Sequence, residues 1–237
     1  MKSVLVTGGT VRLGAAIAER LRAEGWCVIT SSHRADAGAD IVADLAEPLG
    51  SVRLYAAALR LLAGTPPDAL VNNAALFTGA AASIAAVNLD APKKLTMMMA
   101  GRETGVGAVV NLLDATTGDE DGGPPGICGS GSPGDSSGSM SSSQAGAGYL
   151  ESKRQLAEFT RTSAATFAAT LRVNGVAPGP VLAPTAVRER AGETLLDRRP
   201  TADDVAAAVS FLLSAEAITG AILPVDSGQH LTKHRSA

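Results

Sequence analysis

The chain has 237 residues, 46% of them hydrophobic and 18% charged, with a net charge of −3 and no basic tract. That balance supplies one substantial core, excludes a disordered chain and speaks against nucleic acid as the main partner. The first apolar stretch is too short for a signal peptide or a membrane span, and Cys27, Cys128 and three scattered histidines form no disulfide framework or metal motif. A cytoplasmic protein with a small-molecule substrate, no membrane partner and no metal is expected.

Strand-like and helix-like runs alternate along the chain, which predicts a parallel sheet covered on both faces. Residues 3–7 read as a first buried strand. A helix over 13–24 follows, with Leu13, Ala16, Ile17 and Leu21 as its apolar stripe and Gly25 ending it. Residues 26–30 form a second strand and 41–43 a short third, too close together for the usual crossover helix. Then come a helix over 49–62, a strand over 69–71 ending at Asn72-Asn73, a helix over 81–99 and a strand over 108–113. A helix over 149–167 repeats Leu156, Phe159, Ser163 and Phe167 at helical spacing, and a strand over 171–176, a helix over 202–213 and a strand over 221–225 close the pattern. The chain therefore reads as one domain, 1–237. Residues 118–148, with ten glycines, eight serines and three prolines, read as a flexible insertion within it. That insertion is either a mobile surface loop or a lid, since it joins two candidate active-site elements.

Between the first strand and first helix lies Thr7-Gly8-Gly9-Thr10-Val11-Arg12-Leu13-Gly14. Glycines let a backbone approach a pyrophosphate closely, and a helix N-terminus offers free N–H groups and a positive dipole end. The spacing is not the strict G-x-G-x-x-G pattern, but strand–turn–helix context supports a dinucleotide site. Dinucleotide sites often carry an acid after the second strand to hold the ribose hydroxyls. Here that strand runs into Ser31-Ser32-His33-Arg34, with no acid before Asp36. A cation with hydroxyl donors suits a 2′-phosphate, which favours NADP(H), and Arg12 offers a second positive charge. Asp44-Leu45, closing the short third strand, are placed to contact an adenine ring.

Tyr149 and Lys153 stand four apart, one turn of helix, on one face. A cation beside a phenol favours the phenolate and lowers a pKa that is ordinarily about 10. The pair thus predicts an acid able to release its proton near neutral pH, as carbonyl or imine reduction requires.

Together these motifs resemble the short-chain dehydrogenase/reductase family over nearly the whole chain outside 118–148. Residues 7–14 resemble its TGxxxxxG turn, Asn72-Asn73-Ala74 its NNAG motif and Tyr149/Lys153 its YxxxK pair. The resemblance implies a doubly wound parallel sheet, a Rossmann fold. It also implies cofactor contacts from Gly8, Thr10, Arg12, Leu13, Gly14, Ser32, His33, Arg34, Asp44, Leu45, Asn73, Ala74, Tyr149, Lys153, Pro178, Gly179 and Val181. Asn88 matches the family's structural and proton-relay asparagine, and Asn174 with Pro178-Gly179 the segment that meets the nicotinamide. A homo-oligomer, tetramer or dimer, is implied as well.

Within the family the chain is similar to pteridine reductases and dihydromonapterin reductases. Asp114 stands where the family's usual catalytic serine would be, as in those enzymes, and Phe77 stands where they use an aromatic against a pterin. The same residues admit plainer readings: Asp114 as a loop cap with Thr116 or Thr117 replacing the serine, and Phe77 as a core aromatic. They also leave open a carbonyl reductase or alcohol dehydrogenase on an unrelated substrate, and a non-catalytic NADP(H)-binding protein.

Overall fold

Alternation along the strands decides the layering. Val4 and Val6 turn to one face of the sheet and Leu5 to the other, and all three are fully buried. A strand with both faces covered must be apolar throughout, which is why its sequence reads as a continuous run. In the computed structural model, which describes residues 1–103, 105–115, 142–181 and 194–235, seven parallel strands make one sheet. They are β1 (Ser3–Thr7), β2 (Cys27–Ser32), β3 (Ile41–Val42), β4 (Ala69–Asn72), β5 (Gly107–Leu112), β6 (Leu171–Pro178) and β7 (Ile222–Val225), in the order 3-2-1-4-5-6-7. This is the doubly wound arrangement expected of the sequence.

The helices are α1 (Arg12–Ala23), α2 (Gly50–Leu61), α3 (Ala81–Ala85), α4 (Ala91–Ala100), α5 (Ser142–Thr166) and α6 (Ala202–Ser214). Ile17 and Leu21 of α1 and Val205, Val209 and Leu212 of α6 pack with Val4, Val6, Val71, Val110 and Val176 on one face. Leu54 and Ala58 of α2 and Leu95 and Met99 of α4 pack with Leu5, Leu70, Val109 and Val173 on the other. Helix α1 ends as expected at Gly25, whose φ of +84° suits a residue without Cβ. Only a single 3₁₀ turn, Ala35–Ala37, fills the short β2–β3 connection.

Several strand ends shift by one or two residues, and two helices differ more. The helix expected over 81–99 is split by a π turn, Ala86–Asp90, between α3 and α4. Pro92 supplies the reason: it has no N–H for the Asn88 carbonyl, so the α-helical ladder cannot run through that point. Helix α5 begins at Ser142 rather than 149, so residues 142–148 of the Gly/Ser-rich segment are helical. Their local propensity is poor, and they extend a helix already nucleated and packed downstream. The rest of that segment lies outside the described residues, as do Thr116, Thr117 and Cys128.

Two contacts fix α6. Thr201 and Asp204 form a capping box at its start, and Arg172 of β6 donates to the carbonyls of Leu212, Leu213, Ala215 and Ile218 at its end. A half-buried guanidinium there satisfies carbonyls the helix itself cannot. Among the described residues no helix is long and apolar enough to cross a membrane, and no three His, Cys, Asp or Glu side chains cluster to hold a metal.

Candidate active site

The strand order reverses between β1 and β4, and the crevice opens beyond their C-terminal ends. Thr7 closes β1 and ties the two strands together. Its hydroxyl accepts the N–H groups of Asn73 and Ala74, each at 3.0 Å, while Asn73 Nδ2 donates to the Thr7 and Gly8 carbonyls at 2.9 and 3.0 Å. Gly8 has φ +62°, and a Cβ there would sit 3.1 Å from Ala74 Cα. Gly14 is packed still more closely: a Cβ would press into the Gly8 carbonyl and lie 2.6 Å from Asn73 Nδ2. No side chain caps the first turn of α1. The turn is thus a glycine cradle ending in free helical N–H groups, shaped to take an anion. Thr10 lines a groove of about 390 Å³ with Gly9, Thr30, Ala37 and Gly38, and Leu13 packs inward against the α1/α6 core. Arg12 opens the helix with φ +53°, a left-handed conformation that costs a non-glycine residue about 1–2 kcal/mol. Its guanidinium carbon lies 5.9 Å from the Phe77 ring centroid.

At the end of β2, Ser32 Oγ accepts the Arg34 N–H at 3.1 Å, and His33 and Arg34 are exposed. The Arg34 guanidinium grips Asp36 with two hydrogen bonds, 2.9 and 2.6 Å. Asp44 Oδ1 accepts the Ala46 N–H at 2.8 Å. Leu45 is buried with Ile29, Ile41 and Leu54, so its side chain belongs to the core and only its main chain can face a ligand.

The expected pair comes together beyond β5. Lys153 is buried and donates to the Leu112 carbonyl at 2.7 Å, with Nζ 5.8 Å from the Tyr149 ring centroid. Tyr149 donates its hydroxyl to Asp114 Oδ2 at 3.2 Å. Its ring stacks on Phe77, centroids 4.8 Å apart and planes 28° from parallel. Phe77 is 54% exposed, so it is no core aromatic. A column therefore runs from Arg12 through Phe77 and Tyr149 to Lys153. The expectation that Lys153 lowers the Tyr149 pKa fails in this state. Burial raises the phenol above its ordinary value, and the Asp114 charge and hydrogen bond raise it further. Burial pulls the Lys153 ammonium down to about 8, against the opposing pull of Asp114.

Asn88 lies on the π turn and is completely buried. Its Oδ1 accepts the Leu76 N–H at 2.8 Å, and its Nδ2 donates to the Leu76 carbonyl at 2.9 Å and to Ser152 Oγ at 3.2 Å. The side chain is thus a brace between the segment before Phe77 and the helix carrying Tyr149, with both amide hydrogens committed and one acceptor position on Oδ1 left for a relay. The Asn88 main-chain carbonyl, whose α-helical donor is missing because residue 92 is proline, is a second candidate acceptor for it.

Pro178 and Gly179 close β6 beside β7, and the Val181 N–H donates to the Gly179 carbonyl at 2.8 Å. Asn174 is not part of this edge. Its side chain bonds the Ile218 carbonyl at 2.9 Å and the Ala221 N–H at 3.0 Å, bracing the entry to β7.

Two hydrogen-bonded arrangements lie outside the expected site residues. Asp226, 3% exposed, accepts the N–H groups of Gly228 and His230 at 3.0 and 2.7 Å, contacts His230 Nδ1 at 2.7 Å, and packs where a Cβ on Gly179 would go. Beneath the pair, a buried chain runs from Asn72 Nδ2 to Asn111 Oδ1 (2.8 Å), from Asn111 Nδ2 to Thr160 Oγ1 (2.9 Å), and on to the Leu156 carbonyl (2.7 Å). It joins β4, β5 and α5. Asn111→Ala would leave the Asn72 amide unpaired, its Oδ1 having no partner already. We expect urea denaturation to show a loss of about 1–3 kcal/mol for the orphaned group, with a cavity term added. No measurable loss would mean that the chain carries no stability.

Known proteins resemble this chain over most of its length. The family model described as enoyl-(acyl carrier protein) reductase, a short-chain dehydrogenase model, matches residues 65–230. The chain belongs to the short-chain dehydrogenase/reductase family. It is 28% identical to pteridine reductase 1 of Leishmania tarentolae, over 97% of this chain and 96% of that protein. It is 29% identical to protein FixR of Bradyrhizobium diazoefficiens, over 97% and 87% respectively. Among solved structures, FolM alternative dihydrofolate reductase 1 from Brucella canis, complexed with NADP, is 28% identical over 98% of this chain and 95% of that one, with a TM-score of 0.72. A blue fluorescent protein from a metagenomic library, in complex with NADPH, is 27% identical over 96% and 97%, with a TM-score of 0.76.

Proposed function

We propose that this short-chain dehydrogenase/reductase is an NADPH-dependent reductase acting on a C=N or C=O bond of a flat, pterin-like heterocycle. The observation that carries the reading is the Tyr149–Asp114 hydrogen bond with Phe77 stacked on the tyrosine. A serine in place of Asp114 would donate to a ketone oxygen. A carboxylate accepts instead, which suits a substrate offering N–H groups. The relatives that bear pteridine reductase and FolM names point the same way.

The glycine cradle fits the cofactor pyrophosphate, Arg34 and Ser32 its adenosine phosphate, and Asp44 with the Leu45 main chain its adenine. Asn73, Ala74, Pro178, Gly179 and Val181 line the path to the reacting end. NADPH supplies the hydride when bound. Tyr149, kept protonated by burial, delivers a proton to the heteroatom, and the buried Lys153 ammonium supports the charge left on the phenolate. Asp114, which accepts the Tyr149 hydroxyl, turns to the heterocycle's N–H when substrate arrives. Asn88 holds Leu76 and Ser152 in place and offers the relay acceptor. Phe77 supplies the stacking surface. Assembly as a homotetramer or dimer in the cytoplasm completes the reading, supported by the exposed apolar Phe211 on α6 and Leu223 on β7.

Asp114→Ser tests the substrate class. Reduction of a dihydropterin should fall by about 5- to 150-fold in kcat/KM, since an unpaired donor in a dry site costs about 1–3 kcal/mol. Reduction of simple ketones should hold or improve, because the charge that raises the Tyr149 pKa is gone. Equal effects on both substrate classes would leave the broad reductase assignment without the pterin.

A further inference from the structure

We infer that Asp36 tunes the choice between phosphorylated and unphosphorylated dinucleotides, by filling the Arg34 fork as a 2′-phosphate would. The inference rests on the NADPH reading and deepens it. The two Asp36 oxygens accept from Arg34 Nε and Nη2 at 2.9 and 2.6 Å. That paired-donor geometry is the one a guanidinium offers to carboxylate and phosphate alike. The Arg34 main chain is fixed through Ser32 Oγ, so exchanging one anion for the other needs only side-chain movement.

Neighbouring acids are committed elsewhere. Asp40 accepts the Thr30 N–H and hydroxyl at 2.8 and 2.7 Å, and Asp44 accepts the Ala46 N–H. Asp36 instead sits on the exposed 3₁₀ turn that borders the groove beside Thr10, and holds Arg34 there. NADPH either displaces Asp36 from this edge or takes the remaining Nη1/Nη2 edge, and in both cases its phosphate comes to lie near the carboxylate. NADH brings a neutral hydroxyl to the same place and leaves the pair intact. Asp36 thereby narrows the preference for NADPH that Arg34 creates.

Exposed ion pairs are weak, so the effect is modest: Asp36→Asn should tighten NADPH by about two- to five-fold. Affinity for NADH should not change. The gain should shrink as salt rises, because both charges are solvent-screened. The test is a binding titration on the full chain, following nicotinamide fluorescence for NADPH and NADH. Displacement by adenosine 2′,5′-bisphosphate and by ADP then isolates the 2′ position. Arg34→Ala should weaken NADPH and the bisphosphate by about ten-fold or more, and Asp36→Asn should add nothing in that background. The inference falls if Asp36→Asn leaves NADPH unchanged or weaker, tightens NADH equally, or keeps its gain without Arg34. If the wild-type protein binds none of the four ligands, the cofactor reading fails and takes the inference with it.

Discussion

Tyr149→Phe should lower kcat by about 10²–10⁴ while NADPH affinity stays within a few-fold of wild type. The substitution keeps the ring that stacks on Phe77 and removes only the hydroxyl that Asp114 holds. The loss should therefore fall on kcat and kcat/KM together, the sign of a contact made in the transition state. The pH profile supplies a second reading. Tyr149 retains its proton across the neutral range, so alkaline loss of wild-type activity should track the Lys153 ammonium, which burial brings down to about 8. Activity should be present below that value and fall as pH rises through it. A Tyr149→Phe enzyme of near-normal rate would move the proton donor elsewhere, with Asp114 the first place to look.

Gly14→Ala should abolish tight NADPH binding and destabilise the fold. Two effects oppose each other here. Alanine inside a helix is better than glycine by about 1 kcal/mol. Its Cβ, however, would press into the Gly8 carbonyl and crowd Asn73 Nδ2, and neither can move freely because Asn73 already bonds the Thr7 and Gly8 carbonyls. Overpacking of this kind costs about 1–3 kcal/mol, and relief by shifting α1 would pull its N–H groups out of line. The clash wins. Thermal unfolding and NADPH titration should both register the change. Gly101→Ala is the control: it lies at the end of α4 with a negative φ of −73°, and its Cβ would meet nothing closer than 3.5 Å, so it should be neutral. A Gly14→Ala protein that bound NADPH normally would show that the cradle does not need this close approach.

What the sequence made legible was local. The glycine turn, the Tyr149/Lys153 spacing, the absent crossover helix and the alternation of strands with helices follow from residues near one another in the chain. Non-local pairing was hidden. Nothing near Asn111 in sequence announces Asn72 or Thr160, 39 and 49 residues away. Nor does Asn174 reveal that its amide braces β7 rather than facing the crevice. Side-chain direction was hidden too: Asp44 and Leu45 are adjacent, yet one is exposed and the other is core. The Tyr149 pKa is the most instructive case. Spacing on a helix correctly placed a lysine near a phenol, and a carboxylate at Asp114 already argues for a raised tyrosine pKa; what the spacing hides is the burial that contributes most to the rise. The π turn could have been read from Pro92, since a proline four residues after Asn88 removes the donor for that carbonyl.

The central claim, hydride transfer to a pterin-like ring with Tyr149 supplying the proton, is tested most directly by isotope transfer. The protein is incubated with NADPH deuterated at nicotinamide C4 and a dihydropterin, and the products are examined by mass spectrometry. The account predicts one deuterium on a ring carbon of the reduced pterin, one NADP⁺ formed per product, and both lost in Tyr149→Phe. Bound NADPH that is never oxidised, with pterins or with any carbonyl compound tried, would contradict it.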